Sequence, residues 1–166
     1  MSTPETVDAE KWEDLNVFRM DQEAIDELLA AAPGCTVTWV AKNGQPMGVW
    51  VSYVVMDGEV WVTTTGNRSK TRAWERDPRT TAVFGVTGIG SVTIVGRVEL
   101  YEDPALRTKF LETLWERNLG GRDTSNAETE AMRASWLQHM DTEGRVVGPI
   151  HADKYISFDE RKLAYT

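Results

Sequence analysis

Five cations, Arg68, Lys70, Arg72, Arg76 and Arg79, fall within the stretch VWVTTTGNRSKTRAWERDPR (residues 60–79). The chain around them is acidic: 166 residues carry 18 Lys+Arg against 26 Asp+Glu, a formal net charge of −8. A cationic cluster that follows a β-branched run and opens a helix is suited to holding an anion. Helix N-termini present unpaired backbone N–H groups and a partial positive charge, and phosphate binds there readily. Thr63, Thr64 and Thr65 add hydroxyl donors, and Arg68 and Lys70 add charge-assisted ones. A second reading makes the same residues a solvated helix face paired with Glu75 and Asp77. The spacing fits neither a Walker loop nor a Gly-rich dinucleotide fingerprint, so the residues alone leave both readings open.

The remaining reactive side chains form no catalytic set. His139 and His151 are the only histidines and lack the spacing of metal ligands, so no metal is expected. His151, two residues after Pro149, has three candidate roles: the substrate pocket, a haem ligand, or a satisfied surface histidine. Cys35 is the single cysteine and sits in an apolar strand context, which excludes an internal disulfide and a thiolate cluster. No Ser-His-Asp or Cys-His arrangement can be drawn, and no catalytic residue is assigned. Seven tryptophans belong mainly to core or interface, with Trp50, Trp61 and Trp74 able to flank a planar ligand.

These residues need elements to position them. Residues 1–20 have no clean period and read as an N-terminal arm that Trp12, Leu15 and Phe18 can dock. DQEAIDELLAAAPG reads as a helix with Asp21 as N-cap and Pro33-Gly34 as its stop. The period then becomes two. CTVTWVA, MGVWVSYVV and EVWVTTT read as three meander strands joined by Asn43-Gly44 and Asp57-Gly58 turns. On the second, Trp50 alternates with Val49 and Val51, so it faces away from them: the reading taken puts Trp50 on the ligand side and the valines on the other, and the competing reading has Trp50 fill the core. SKTRAWERDP reads as a two-turn helix capped by Ser69 and ended by Asp77-Pro78. TTAVFGV and SVTIVGRVELY read as further strands, with a bulge at Gly96. Residues 104–140 return to helical period in two helices, one lined by Leu106, Phe110 and Leu114 and one by Met132, Trp136 and Met140, with a loop at NLGGRDTSN between them. RVVGPI and KYISFD read as one or two last strands. The sum is a mainly β, α+β domain over 21–166, closed or partly closed as an antiparallel barrel.

Composition narrows the function. Hydrophobic content of 41% and charged content of 27% suit a soluble globular domain. An acidic surface disfavours nucleic acid, no apolar run reaches membrane length, and the polar start MSTPETVDAEKWED is neither signal nor transit peptide. The expectation is a cytoplasmic protein with a small-molecule substrate and no membrane partner.

The order strand, NG turn, strand, DG turn, strand, then TTTGNRSKTRAWERDPR, then SVTIVGRVEL followed by EDP, resembles the pyridoxamine 5′-phosphate oxidase-like family. That is the FMN-binding-like split β-barrel group, whose members bind FMN or the deazaflavin coenzyme F420. The resemblance covers roughly residues 21–103 and, more faintly, the final strands. The basic-x-Lys-x-Arg pattern closed by Arg-Asp-Pro-Arg is most similar to its flavin/deazaflavin oxidoreductases. It implies that Arg68 and Lys70 hold a cofactor phosphate, with Ser69 between them and Thr63 and Thr64 at the strand end. Trp50, Val51 and Ser52 would run along the ring. Arg72 would help with phosphate or an acidic tail, and Ser91 would reach the cofactor of a partner subunit. Trp50 departs from the smaller or polar residue expected there. The resemblance further implies a homodimer with two interface sites and an oxidoreductase that passes hydride between F420 (first choice) or FMN and a small unsaturated substrate. The alternative is a non-catalytic cofactor- or haem-binding protein on the same barrel. The 104–140 helices are additions to the minimal barrel.

Overall fold

Two edges of one sheet meet at Ser52. The computed structural model describes residues 5–119 and 126–163. Its strands are β1 (Cys35–Val40), β2 (Pro46–Val51), β3 (Tyr53–Met56), β4 (Glu59–Thr65), β5 (Arg79–Val86), β6 (Gly90–Val98) and β7 (Arg145–Asp159). All pair antiparallel in one sheet ordered β2-β1-β5-β6-β7-β4-β3. β2 and β3 are the ends of that order, yet Ser52 alone separates them. Two Cα steps span at most about 7.6 Å, so the sheet must curl until its edges face each other. The result is a split β-barrel with α+β character. The single strand expected over MGVWVSYVV is therefore two. Its first half pairs with β1 and its second with β4, and the chain bends at Ser52 to leave one partner and join the other.

Both predicted hairpins form, by different means. Asp57 and Gly58 both take positive φ (54° and 81°), the two-residue turn that matches strand twist. At the other, the loop runs from Ala41 to Gln45 and only Gly44 has positive φ. The expected bulge is present: the β6–β7 register shifts between Val95 and Gly96. A Cβ on Gly96 would fall 2.1 Å from the His151 carbonyl oxygen, and one on Gly148 would fall 1.6 Å from that of Glu99. Backbone occupies the space a side chain would need. RVVGPI and KYISFD belong to one continuous strand, β7.

The helices are α1 (Gln22–Ala31), α2 (Ser69–Arg76), α3 (Pro104–Leu119) and α4 (Ala127–Met140). Asp21 caps α1 by accepting the Ala24 N–H, and Ile25, Leu28 and Leu29 enter the main core with Tyr53, Phe84 and Ile94. Phe110, Leu111 and Leu114 of α3 build a second core against Val54, Trp61 and Val147. α4 buries no residue fully. Trp136 and Met140 are partly buried while Met132 is exposed, because the helix rests on its neighbours along one side only. The arm is tied down where described: Val7 bridges Leu163, and buried Phe18 meets Phe158 at 4.9 Å. Residues 1–4 of the arm, 120–125 of the predicted loop and 164–166 lie outside the described residues. Among the described residues no helix is long and apolar enough to cross a membrane.

Candidate functional site

β4 passes into α2 through a turn held by threonines. The Thr64 and Thr71 hydroxyls lie 2.9 Å apart, and Thr71 donates to the Thr65 carbonyl at 2.8 Å. The N-cap of α2 is Arg68, in extended backbone and without a side-chain capping bond; Ser69 is the first helical residue and caps nothing. The expected Ser69 cap fails because the turn closes one residue earlier, where Arg68 N–H reaches the Thr65 carbonyl. Lys70 then projects from the first turn and is half-buried. Among the described residues, neither the Lys70 ammonium nor the Arg68 guanidinium has a hydrogen-bond or ion-pair partner.

A third cation comes from the far end of the sequence. Arg145 opens β7 and pairs with Thr65 across the ladder. Its guanidinium donates to Thr63 Oγ1 at 3.2 Å, while Thr63 donates to the Val146 carbonyl at 2.9 Å. The Arg145 Nε–H is buried with no partner. Burial, then the charges of Arg68 and Arg145, push the Lys70 amine down from its ordinary value. Burial also pushes Arg145 down; Asp141 opposes this, while Arg107 and Arg68 add to it. Arg107 is itself paired with Asp141. Partly buried cations are costly; Lys70 and Arg145 are of that kind, and with exposed Arg68 they form a cationic seat suited to an oxyanion. Arg145 carried no signal in the sequence, since a cation opening a strand is commonplace and only the β4–β7 pairing sets it beside Lys70.

A groove of about 340 Å³ adjoins this seat. Trp50, Val51, Ser52 and Thr63 line its barrel side; Leu114, Trp136 and Met140 close it from the helices. Thr63 belongs to both groove and seat. Trp50, Val51 and Ser52 line the groove together because the chain bends at the barrel seam, which replaces the strict alternation expected for one strand. The Trp50 side chain is 59% exposed and lies over Gly34, where a Cβ would fall 2.1 Å from the indole.

Three sequence candidates stand apart from the open donors. Thr64 is buried, with its hydroxyl engaged by Thr71. Arg72 is exposed and donates to the Asn67 carbonyl at 2.9 Å. Ser91 pairs with Phe158, thirteen residues along β7 from Arg145 (158 − 145 = 13), at the other end of the sheet. His151 holds Glu59 at 2.8 Å through Nδ1 and Glu99 at 3.1 Å through Nε2. Hydrogen bonds from these carboxylates raise its pKa. Both ring nitrogens are engaged, so this geometry offers none to a haem iron. Cys35 is buried, and desolvation pushes its thiol up to about 12. Among the described residues no group of three or more His, Cys, Asp or Glu can hold a metal ion.

Known proteins share this fold. The pyridoxamine 5′-phosphate oxidase family model matches residues 21–141. A conserved hypothetical protein from Mycobacterium tuberculosis is 26% identical, with a TM-score of 0.74 over 90% of this chain and 92% of its own. An F420 reductase is 20% identical, with a TM-score of 0.56 over 79% and 94%. The haem storage protein HutZ from Vibrio cholerae is 12% identical, with a TM-score of 0.61 over 83% and 93%. No curated protein matches in sequence. The last two structures are alike in fold alone.

Proposed function

Because the chain belongs to the pyridoxamine 5′-phosphate oxidase family, we propose that it binds FMN or coenzyme F420 and passes hydride between that ring and a small unsaturated substrate. One observation carries this reading: Arg68, Lys70 and Arg145, whose buried Nε–H has no partner, lie within electrostatic reach of one another, and Arg145 is joined through Thr63 to the groove that Trp50 lines. A phosphate supplies that anion. Coenzyme F420 remains first choice, on the Arg68-x-Lys70 pattern and the likeness to an F420 reductase.

The protein's contribution is position and exclusion of water. Arg68, Lys70 and Arg145 hold the phosphate, with Ser69 between them. Thr63 turns its hydroxyl between Arg145 and the groove, and Trp50, Val51 and Ser52 flank the ring. Thr64 supports the turn from beneath, Arg72 stiffens the loop before the helix, and Leu114, Trp136 and Met140 keep water from the groove. The ring, when bound, supplies the hydride chemistry.

A second copy of the chain completes the reading. Every residue of β2 from Pro46 to Trp50 is exposed, and Ile156 adds apolar surface on β7. Apolar patches of this kind mark interfaces, and a homodimer would let Ser91 serve the partner's cofactor.

The test is titration of the apoprotein with FMN and with F420, followed by reduction of the bound ring and addition of unsaturated substrates. Tight binding of one cofactor with substrate-dependent reoxidation supports the enzyme. Binding without turnover across the substrates leaves a carrier, and failure of both cofactors to bind removes the proposal. Light scattering should give about twice the 18.7 kDa of one chain.

A further inference from the structure

One recess of the molecule lies away from the cation seat. It is about 450 Å³, formed where α1, the β3–β4 hairpin and α3 meet. Leu29, Val54 and Val60 give it an apolar floor. At its half-buried end stands Arg117, which no motif in the sequence singled out. Its guanidinium lies 4.1 Å from the centroid of the Tyr53 ring and donates to the carbonyls of Leu29 and Ala32 at the end of α1. Those carbonyls satisfy part of the guanidinium's hydrogen bonding but carry no net charge. Among the described residues Arg117 has no carboxylate partner. Its donor set is five N–H groups; Nη1 and Nη2 serve the two carbonyls, and the guanidinium also hydrogen-bonds the Tyr53 side chain.

The open end has the opposite polarity. Asp26, exposed on α1 and held by the Gln22 amide at 2.8 Å, lines the rim with Tyr155, whose hydroxyl has no partner among the described residues. Burial, then the negative charges of Asp26 and Glu59, push the Tyr155 phenol up. Arg117 acts instead on Tyr53 and Cys35 at the inner end, where its charge opposes the upward push of burial. The recess is thus apolar along its length, cationic inside and acidic at its mouth. Asp26 sits three residues before Leu29, about 4.5 Å along the helix axis, and the carbonyls that hold Arg117 lie further on in the same direction.

We infer that this recess binds a small organic molecule with a carboxylate at one end, for Arg117, an unbranched apolar middle, for Leu29, Val54 and Val60, and an ammonium at the other, for Asp26 and Tyr155. A terminal amino acid with several methylenes between its charges has that shape. This site is independent of the phosphate seat and stands whether or not a flavin binds.

The probes are 6-aminohexanoate, hexanoate and hexylamine, titrated into the full-length protein and followed by ligand-observed NMR at low salt. The expected order is 6-aminohexanoate tightest, hexanoate next and hexylamine weakest. Arg117→Gln should weaken both carboxylates about tenfold or more. Asp26→Asn should bring 6-aminohexanoate down to hexanoate while leaving hexanoate unchanged or slightly tighter. Because Arg117 also closes the end of α1, its variant is read only if it melts cooperatively; the exposed Asp26→Asn variant decides the matter if it does not. Equal binding of all three probes, binding of none, or an Asp26→Asn variant that still prefers 6-aminohexanoate overturns the inference.

Discussion

Lys70→Met and Arg145→Met should each weaken cofactor binding, and Lys70→Met should do so without destabilising the fold. Methionine keeps length and apolar volume and removes the charge. A charge-assisted hydrogen bond contributes about 1.5–3 kcal/mol, so each substitution should weaken FMN or F420 binding about tenfold to a hundredfold. The double variant should lose less than the sum, because both groups address one ligand. Thermal stability of the free protein should hold or rise for Lys70→Met, since that ammonium has no partner to lose and repels Arg68 and Arg145. The pH dependence follows from the depressed Lys70 value. Charging this lysine disfavours the free fold, and that penalty lifts as pH rises through the depressed pKa towards the ordinary 10.5. An anion in the seat favours the ammonium, so affinity should be highest below that pKa and fall as pH rises through it. The Lys70→Met variant should lack this alkaline limb. Added salt should weaken binding in the parent more than in the double variant. Calorimetry at several pH values, with thermal melts alongside, reads all of this. Unchanged affinity in both variants, or unchanged affinity with a large fall in melting temperature, would make the cluster a structural feature and refute the seat.

Trp50→Ala should cost far less than the 3–5 kcal/mol of a buried tryptophan, because the side chain is 59% exposed; its main effect should be on ring binding, read by parallel melts and titrations. Gly148→Ala should destabilise by about 3 kcal/mol or more, since its Cβ would lie 1.6 Å from a backbone oxygen; Gly44→Ala, with nothing within 4 Å and only its positive φ to strain, should cost about 1–2 kcal/mol. Urea unfolding compares the two, and equal costs would refute the close approach. The His151 bridge should add stability that is complete below the ordinary histidine value of 6.5 and lost as pH rises through the raised one. The Glu99 side of the same bridge should be complete above 4.5 and lost as pH falls through its lowered value. His151→Gln should flatten both limbs, each of them shallow because the bridge is exposed, in melts across a pH series.

Local chemistry was legible in the chain. Asp21 as a cap, Asp57-Gly58 as a turn, Gly96 as a bulge and the switch from period two to helical period are each decided within a few residues, by steric and hydrogen-bonding rules that act at short range. The same holds for Arg68 and Lys70, whose place between a strand and a helix start is local. The second strand was misread because its break at Ser52 is not a local event: nothing in MGVWVSYVV disfavours extension, and the bend exists only because the two halves pair with strands at opposite ends of the sheet order. Arg145 was missed for the same reason. It stands 75 residues beyond Lys70 (145 − 70 = 75), and only the β4–β7 ladder brings it to the seat. Arg117, likewise, is one cation on a long helix until α3 packs against the end of α1 and its guanidinium meets the open carbonyls there. The element types were decided by local backbone preference and hydrophobic period. The juxtaposition of Arg68 and Lys70 with Arg145 was decided by burial of the shared core, which closes the sheet and draws together cations that would otherwise repel one another in water.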